Sequence, residues 1–167
     1  MAAVFISLGG FAALLLAELA KAASLSASLP VGGGRRALAA LLSVAGYASV
    51  AAGLAEQLLT WAPGAAPGLR WAALAAASPF LLLLLYSVFL EIPLHRRLSG
   101  APRGALCRRG SYALCRHPGL LWFILAQAAV NLVYRSPDFL LISLALVAGD
   151  LALVLAQDRW LFPRRFA

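Results

Sequence analysis

The sequence predicts an all-α, polytopic membrane protein with five transmembrane helices, the last two forming a helical hairpin that carries the candidate site at its cytoplasmic end. Three observations predict it. Of 167 residues, 63% are hydrophobic and 12% are charged, and the mean hydropathy is +0.88, which is more apolar surface than a soluble domain of this length can hide. The apolar residues fall in long Ala/Leu runs, and about 20 such residues in a helix cross a hydrocarbon core of about 30 Å. None of the runs alternates apolar with polar residues, as the strands of a transmembrane barrel do.

The five runs extend from Ala3 to Ala23, Ala37 to Thr60, Leu69 to Pro93, Gly119 to Tyr134 and Asp138 to Gln157. They make a single transmembrane domain over residues 1–167, with a three-helix part (1–95), an Arg-rich cytoplasmic loop with its motif (96–118) and a hairpin with a tail (119–167). The first run has no positive residue ahead of it and is too long for the apolar core of a signal peptide, so it is expected to be a retained span. Glu18 and Lys21 lie on one face near its end and are expected to pair. The link SLSASLPVGGG, Ser24 to Gly34, reads as a turn. In the second run Ser43, Gly46, Val50 and Gly53 form a seam of mostly small residues suited to close helix contact. WAPGAAPG, Trp61 to Gly68, reads as an outer turn with an interfacial tryptophan.

The third run contains Pro79, expected to kink it or widen its contacts, and leaves the membrane through LEIPLHRRL. Glu91 and His95 are one turn apart there, and a structural salt bridge is the expectation for Glu91, although Pro93 between them argues against an unbroken helix. Cys107 and Cys115 are too widely spaced for a Cys-x-x-Cys unit, so free thiols are expected, with no metal site.

The densest polar stretch is RGSYALCRHPGLLW, Arg109 to Trp122. Pro118 disfavours helical geometry at His117 but suits the first turn of a following helix, so Arg116 and His117 are expected at the mouth of a helix beginning near Gly119. Such a mouth presents unpaired backbone N–H groups and a positive dipole end, and Arg116 adds a fork of donors, so an anionic or acceptor group of a ligand suits it. The last two runs are joined by Arg135 to Asp138, with Ser136 as N-cap and Pro137 in the first helical position. Gln127 and Asn131 share a face of the fourth run, where they either bond between helices or line a polar pocket. Asp150 in the fifth run costs roughly 2.5 to 3.5 kcal/mol at mid-membrane, so it is expected to face the bundle or a watery cavity, or else to be protonated. Ala145, Gly149, Ala152 and Ala156 provide a small-residue strip beside it. The two helices of a hairpin bring their far ends together, so Gln157, Asp158 and Arg159 are expected beside Arg116 and His117, where acid and amide opposite Arg and His suit a zwitterionic ligand.

At these residues the chain resembles a family. GSYALCRHPGLL resembles the G-x-Y-x-x-x-R-H-P signature of integral-membrane methyltransferases, the group of isoprenylcysteine carboxyl methyltransferases and phospholipid N-methyltransferases, and QDRWL resembles the Glu-Glu-x-x-Leu element that closes their last helix. Leu120 and Trp122 stand where relatives usually carry Tyr and Gly, and Gln157 and Asp158 replace the Glu pair. The resemblance implies S-adenosylmethionine as cofactor, with Tyr112, Arg116, His117, Pro118 and Leu120 near it and Gln157 and Asp158 at its amino end. It further implies an amphiphilic, lipid-like or prenylated acceptor entering from the bilayer, as in prokaryotic inner-membrane members with five spans. Asp158 or Arg159 would then assist the acceptor atom, and Trp122, Gln127 and Asp150 would lie on the acceptor side. Trp122 and Trp160 either face the sulfonium or anchor the interface. Integral-membrane sterol reductases carry a similar R-H-P element beside NADPH, and a non-catalytic scaffold would need only the hairpin; these are the alternative readings.

Orientation follows from the basic residues. With the N-terminus outside, only Arg70 and Arg135 of the 14 Lys and Arg residues lie outside, and the other basic residues lie in cytoplasmic loops and the tail. The net charge of +8 is then met by anionic membrane lipids, and no nucleic-acid partner is expected. A reporter fused after Ala167 is therefore expected in the cytoplasm and one inserted at Gly64 outside; an external C-terminus overturns the orientation.

Overall fold

The computed structural model describes residues 2–26, 33–60, 67–99 and 110–161, all of them helices or the short links between helices. Helix α1 spans Ala2–Ser26 and α2 Gly33–Thr60. Helix α3, Pro67–Leu85, runs on through a π-helical segment, Tyr86–Glu91, into α4, Ile92–Ser99. A 3-10 turn at Gly110–Ala113 precedes α5, Pro118–Tyr134, and α6, Pro137–Ala156, which closes in a π-helical turn, Gln157–Leu161. The inter-helix stretches 27–32, 61–66 and 100–109, with Cys107, Arg103, Arg108 and Arg109, lie outside the described residues, as does the tail from Phe162.

Among the described residues four helical stretches are long and apolar enough to cross a membrane: Val4–Lys21, Ala37–Gln57, Pro67–His95 and Pro137–Arg159. The protein is thus all-α and a multi-pass membrane protein. The remaining expected span is α5, apolar but only 17 residues long, or about 25 Å at the rise of an α-helix. The outer faces fit this setting, since Leu41, Val44, Trp71 and Leu132 each expose 69–74% of their surface. In water such faces would associate; in a bilayer they meet lipid.

The chain forms two compact units, Met1–Pro63 with Leu144–Ala167, and Gly64–Ser143. In the first, α1 lies along α2 over the predicted seam. A Cβ added to Gly10 would lie 2.8 Å from the Gly46 carbonyl, and one added to Gly46 would lie 2.9 Å from the Gly10 carbonyl and 2.6 Å from Leu14 Cγ. Backbone meets backbone there because neither residue has a side chain, and lipid offers no hydrophobic drive that would substitute for such contact. The Glu18–Lys21 pair forms, at 2.8 Å. Gly149 of α6 abuts Phe11 of α1, so the small-residue strip does admit a neighbour.

In the second unit α3 packs against α5, with Ala73 and Ala77 facing inward on one helix and Phe123, Ala126 and Val130 on the other. Pro79 sits inside α3 without ending it. Its ring removes the N–H that would bond the Ala75 carbonyl, and the Ser78 hydroxyl donates to that carbonyl instead, at 3.0 Å. Pro93, expected to interrupt the helix, does not: it is the second residue of α4, directly after the wider π-helical segment, where the missing N–H and the bulk of the ring are best tolerated.

Gly46→Val is expected to cost about 1–3 kcal/mol, because its methyls must displace Leu14 and the Gly10 carbonyl. Gly9→Val, on the same hairpin but with nothing within 4 Å of its added Cβ, is the control. Unfolding in mixed detergent micelles measures both, and equal stabilities would remove the close crossing as a source of cohesion.

Candidate functional site

The stretch ahead of α5 is built from both ends. At its far end, Pro118 holds the first helical position and is fully buried, and His117 is the N-cap at φ −125°, ψ 72°, outside the helical region as a residue before proline must be. At its near end, Gly110 adopts φ +58°, a left-handed conformation that glycine accepts without steric cost. A Cβ on Gly110 would also run into the Glu91 carboxylate.

Glu91 is the organising side chain. It is the last residue of the π-helical segment and is 4% exposed. One carboxylate oxygen accepts the Ser111 N–H at 2.7 Å and the other accepts the Ser111 hydroxyl. Four residues earlier, fully buried Ser87 offers its carbonyl to the Tyr112 hydroxyl at 3.4 Å, while its own hydroxyl donates to Leu84. Ser87 and Glu91 therefore form a two-point receptor for the Gly-Ser-Tyr turn. The Ser111 carbonyl continues the turn by accepting from the N–H groups of Leu114 and Cys115. Glu91, expected to serve a salt bridge with His95, instead spends both oxygens on a serine 20 residues away in sequence. Burying a carboxylate is costly unless its oxygens are bonded, and Ser111 supplies both bonds.

The structure gathers Tyr112, Arg116, His117 and Pro118 at the head of α5, with Arg116 exposed and His117 half-buried. Leu120 and Trp122 follow on the helix, both half-buried, and the Trp122 Nε1 is enclosed without an acceptor. Gly119 and Leu120 follow a proline in the first turn, where backbone N–H groups have no carbonyl of the helix to meet. Gly119 also lets α5 approach the π-helical segment, since a Cβ there would meet Val88 at 3.2 Å. Cys115 is a free, half-buried thiol.

Gln127 lies deeper and takes part in a link between the two helices of the hairpin. Asn131 donates to the Ser143 hydroxyl at 2.9 Å and to the Gln127 carbonyl at 2.8 Å, and Ser143 donates to the Gln127 side-chain oxygen at 3.0 Å. The turn itself follows expectation: the Ser136 hydroxyl accepts the Phe139 N–H, and Arg135, at φ 48°, donates its N–H to Asn131. Ser143 was not anticipated, because its meaning depends on which residue of the preceding helix it faces.

In the first unit, Gln157, Asp158 and Arg159 occupy the π-helical turn, which lies against α1; Gln157 and Asp158 are half-buried and Arg159 is exposed. The Trp160 side chain lies outside the described residues. Asp150 is half-buried on α6. Beside it, Leu8, Phe11 and Leu15 of α1 and Gly149, Ala152 and Leu153 of α6 line an apolar groove of about 180 Å³, to which Asp150 does not contribute. Among the described residues no three of His, Cys, Asp and Glu converge as metal ligands.

The fold and the site thus define a polytopic helical membrane protein with a hydrogen-bonded polar turn at the head of a short apolar helix. Comparison of the chain with protein-family models, with characterised proteins and with solved structures yields no match.

Ser143→Ala removes the hydroxyl that joins Asn131 to Gln127 and leaves the buried Gln127 side-chain oxygen without that donor. Interhelical hydrogen bonds in membranes average about 0.6 kcal/mol and reach about 1.7, and a loss in that range is expected in reversible unfolding. A stability equal to that of the parent would remove the network as a determinant of the hairpin.

Proposed function

We propose that this protein transfers a methyl group from S-adenosylmethionine to a lipid-like or prenylated amphiphile at the cytoplasmic membrane face. In this reading α5 is a short fifth crossing, so that the N-terminus lies outside and the C-terminus in the cytoplasm. The observation that carries it is that the residues shared with the methyltransferase signature, Gly110, Tyr112, Arg116, His117 and Pro118, are one ordered element. Each has a local physical task that the signature spacing serves. Glycine permits the left-handed turn beside Glu91, tyrosine ties the turn to Ser87, and proline sets the helix mouth at which Arg116 and His117 stand.

The cofactor suits these groups. Its carboxylate matches the exposed Arg116 guanidinium and the first-turn N–H groups of α5, and its ammonium matches a carboxylate such as Asp158. When bound, S-adenosylmethionine supplies a methyl group already activated on a sulfonium. The protein has then mainly to align donor and acceptor and to exclude competing water. Arg116 and His117 hold and orient the anionic end. The resemblance assigns Asp158 or Arg159 to the charge that shifts at the acceptor atom and Trp122 and Asp150 to the acceptor. The apolar body of the acceptor needs no polar site, because the bilayer holds it beside the protein.

His117→Ala and Asp158→Ala are each expected to weaken S-adenosylmethionine binding at least about tenfold, or ~1.4 kcal/mol, with helicity and monodispersity in detergent retained. Arg97→Ala, an exposed cation on α4 outside the signature, is expected to change little. Isothermal titration of the parent and three variants decides. A parent that shows neither heat nor competition with S-adenosylmethionine or S-adenosylhomocysteine at millimolar concentration overturns the reading, and binding of NADPH in its place transfers the site to reductase chemistry.

A further inference from the structure

We infer that Glu91 is a positioning residue: by closing on Ser111 it holds the strap between Gly110 and Pro118, and so sets where Arg116 and His117 stand. The inference concerns a residue outside the signature, on a different helix, and its ligand-binding consequence rests on the methyltransferase reading. Three independent features point the same way. Glu91 ends a π-helical segment, and the wider turn places it and Ser87 together on a buried face. Both carboxylate oxygens are committed to Ser111, one to its N–H and one to its hydroxyl. Gly110 leaves room for that carboxylate where any side chain would collide with it.

The strap has few other attachments of its own backbone. Beyond Ser111, the backbone bonds within it are those of Leu114 and Cys115 to the Ser111 carbonyl, so these bonds move with Ser111 rather than anchor it. At its other end His117 makes no side-chain capping bond to α5. Releasing Ser111 therefore removes the closer of the two ties, Glu91 to Ser111 and Ser87 to Tyr112, that hold the start of the strap to the π-helical segment. Two hydrogen bonds to a buried carboxylate contribute to the free energy of opening the strap, and their loss also strands two buried donors.

Cys115 reports the opening without reference to any ligand, since it lies inside the strap and is half-buried. The measurement is the rate of Cys115 alkylation by N-ethylmaleimide in native membranes, in a full-length Cys107→Ser background. Glu91→Ala is expected to raise that rate at least about tenfold, Ser111→Ala about threefold, and Glu91→Gln, which retains one accepting oxygen and can donate to the hydroxyl, less than about twofold. Affinity for S-adenosylhomocysteine is expected to fall in the same order. If Glu91→Ala does not accumulate, Ser111→Ala against Glu91→Gln carries the comparison. Unchanged alkylation in both Glu91→Ala and Ser111→Ala overturns the inference, whatever the ligand result. Faster alkylation with affinity equal to that of a binding parent also overturns it, since Glu91 would then stabilise without positioning. A parent that binds no S-adenosylhomocysteine overturns the methyltransferase reading instead, and the alkylation rates alone then decide whether Glu91 holds the strap.

Discussion

Hydrocarbon accepts no hydrogen bond, and that constraint shapes how the helices of this chain place their polar side chains. Several polar groups carried into the helices are met by a partner from the local structure, while Ser7 Oγ and Trp122 Nε1 are enclosed without a hydrogen bond. Ser43 turns its hydroxyl back to Ala39, Ser87 to Leu84, and Ser78 to the carbonyl that Pro79 leaves without its donor. Ser143 links the Asn131 amide nitrogen to the Gln127 side-chain oxygen across the hairpin. The same rule explains why the polar turn ahead of α5 is held by side chains of another helix. A turn offers too few backbone bonds of its own, and at the margin of a bilayer water is an uncertain substitute, so Glu91 and Ser87 provide acceptors from within the protein.

Much of the fold was legible because the bilayer reduces folding to a small set of local rules. Long apolar runs become helices, small residues at helical spacing become contacts, and proline and serine mark a helix start. The Gly46 seam, the Ser136 cap, Pro137 and the non-helical His117 ahead of Pro118 all follow from residues within one or two turns of each other. The head of α5 was legible for the same reason, since Pro118 alone breaks the backbone there.

Other features were hidden because they depend on distant residues. The partner of Glu91 lies across a loop, and the nearer His95 offered a simpler pairing within one turn. The π-helical segment has no marker in composition: Tyr86 to Glu91 reads as an ordinary apolar helix, and Pro93 read as a break. In the structure the two account for each other. The wider turn precedes the proline and tolerates it, and the same widening aims Ser87 and Glu91 at one target. Ser143 was equally silent, since a serine in an apolar helix gains meaning only when Asn131 and Gln127 face it.

The division of labour at the head of α5 bears on how such a site changes over time. Arg116 and His117 are the groups with chemical potential, and their segment is bounded by proline at one end and by the Glu91–Ser111 contact at the other. A substitution at Leu120 or Trp122, on the helix itself, alters what lines the mouth while leaving the strap where it is. A substitution at Glu91, Ser111 or Gly110 moves the strap while leaving every functional group present. Identity of the lining and placement of the charged groups are thus separable, because a carboxylate on one helix and a proline on another carry the second task. The departures at Leu120 and Trp122 from the methyltransferase signature fall wholly in the first class. Gly110, Tyr112, Arg116, His117 and Pro118, which the signature shares with this chain, belong to the strap or mark its two ends.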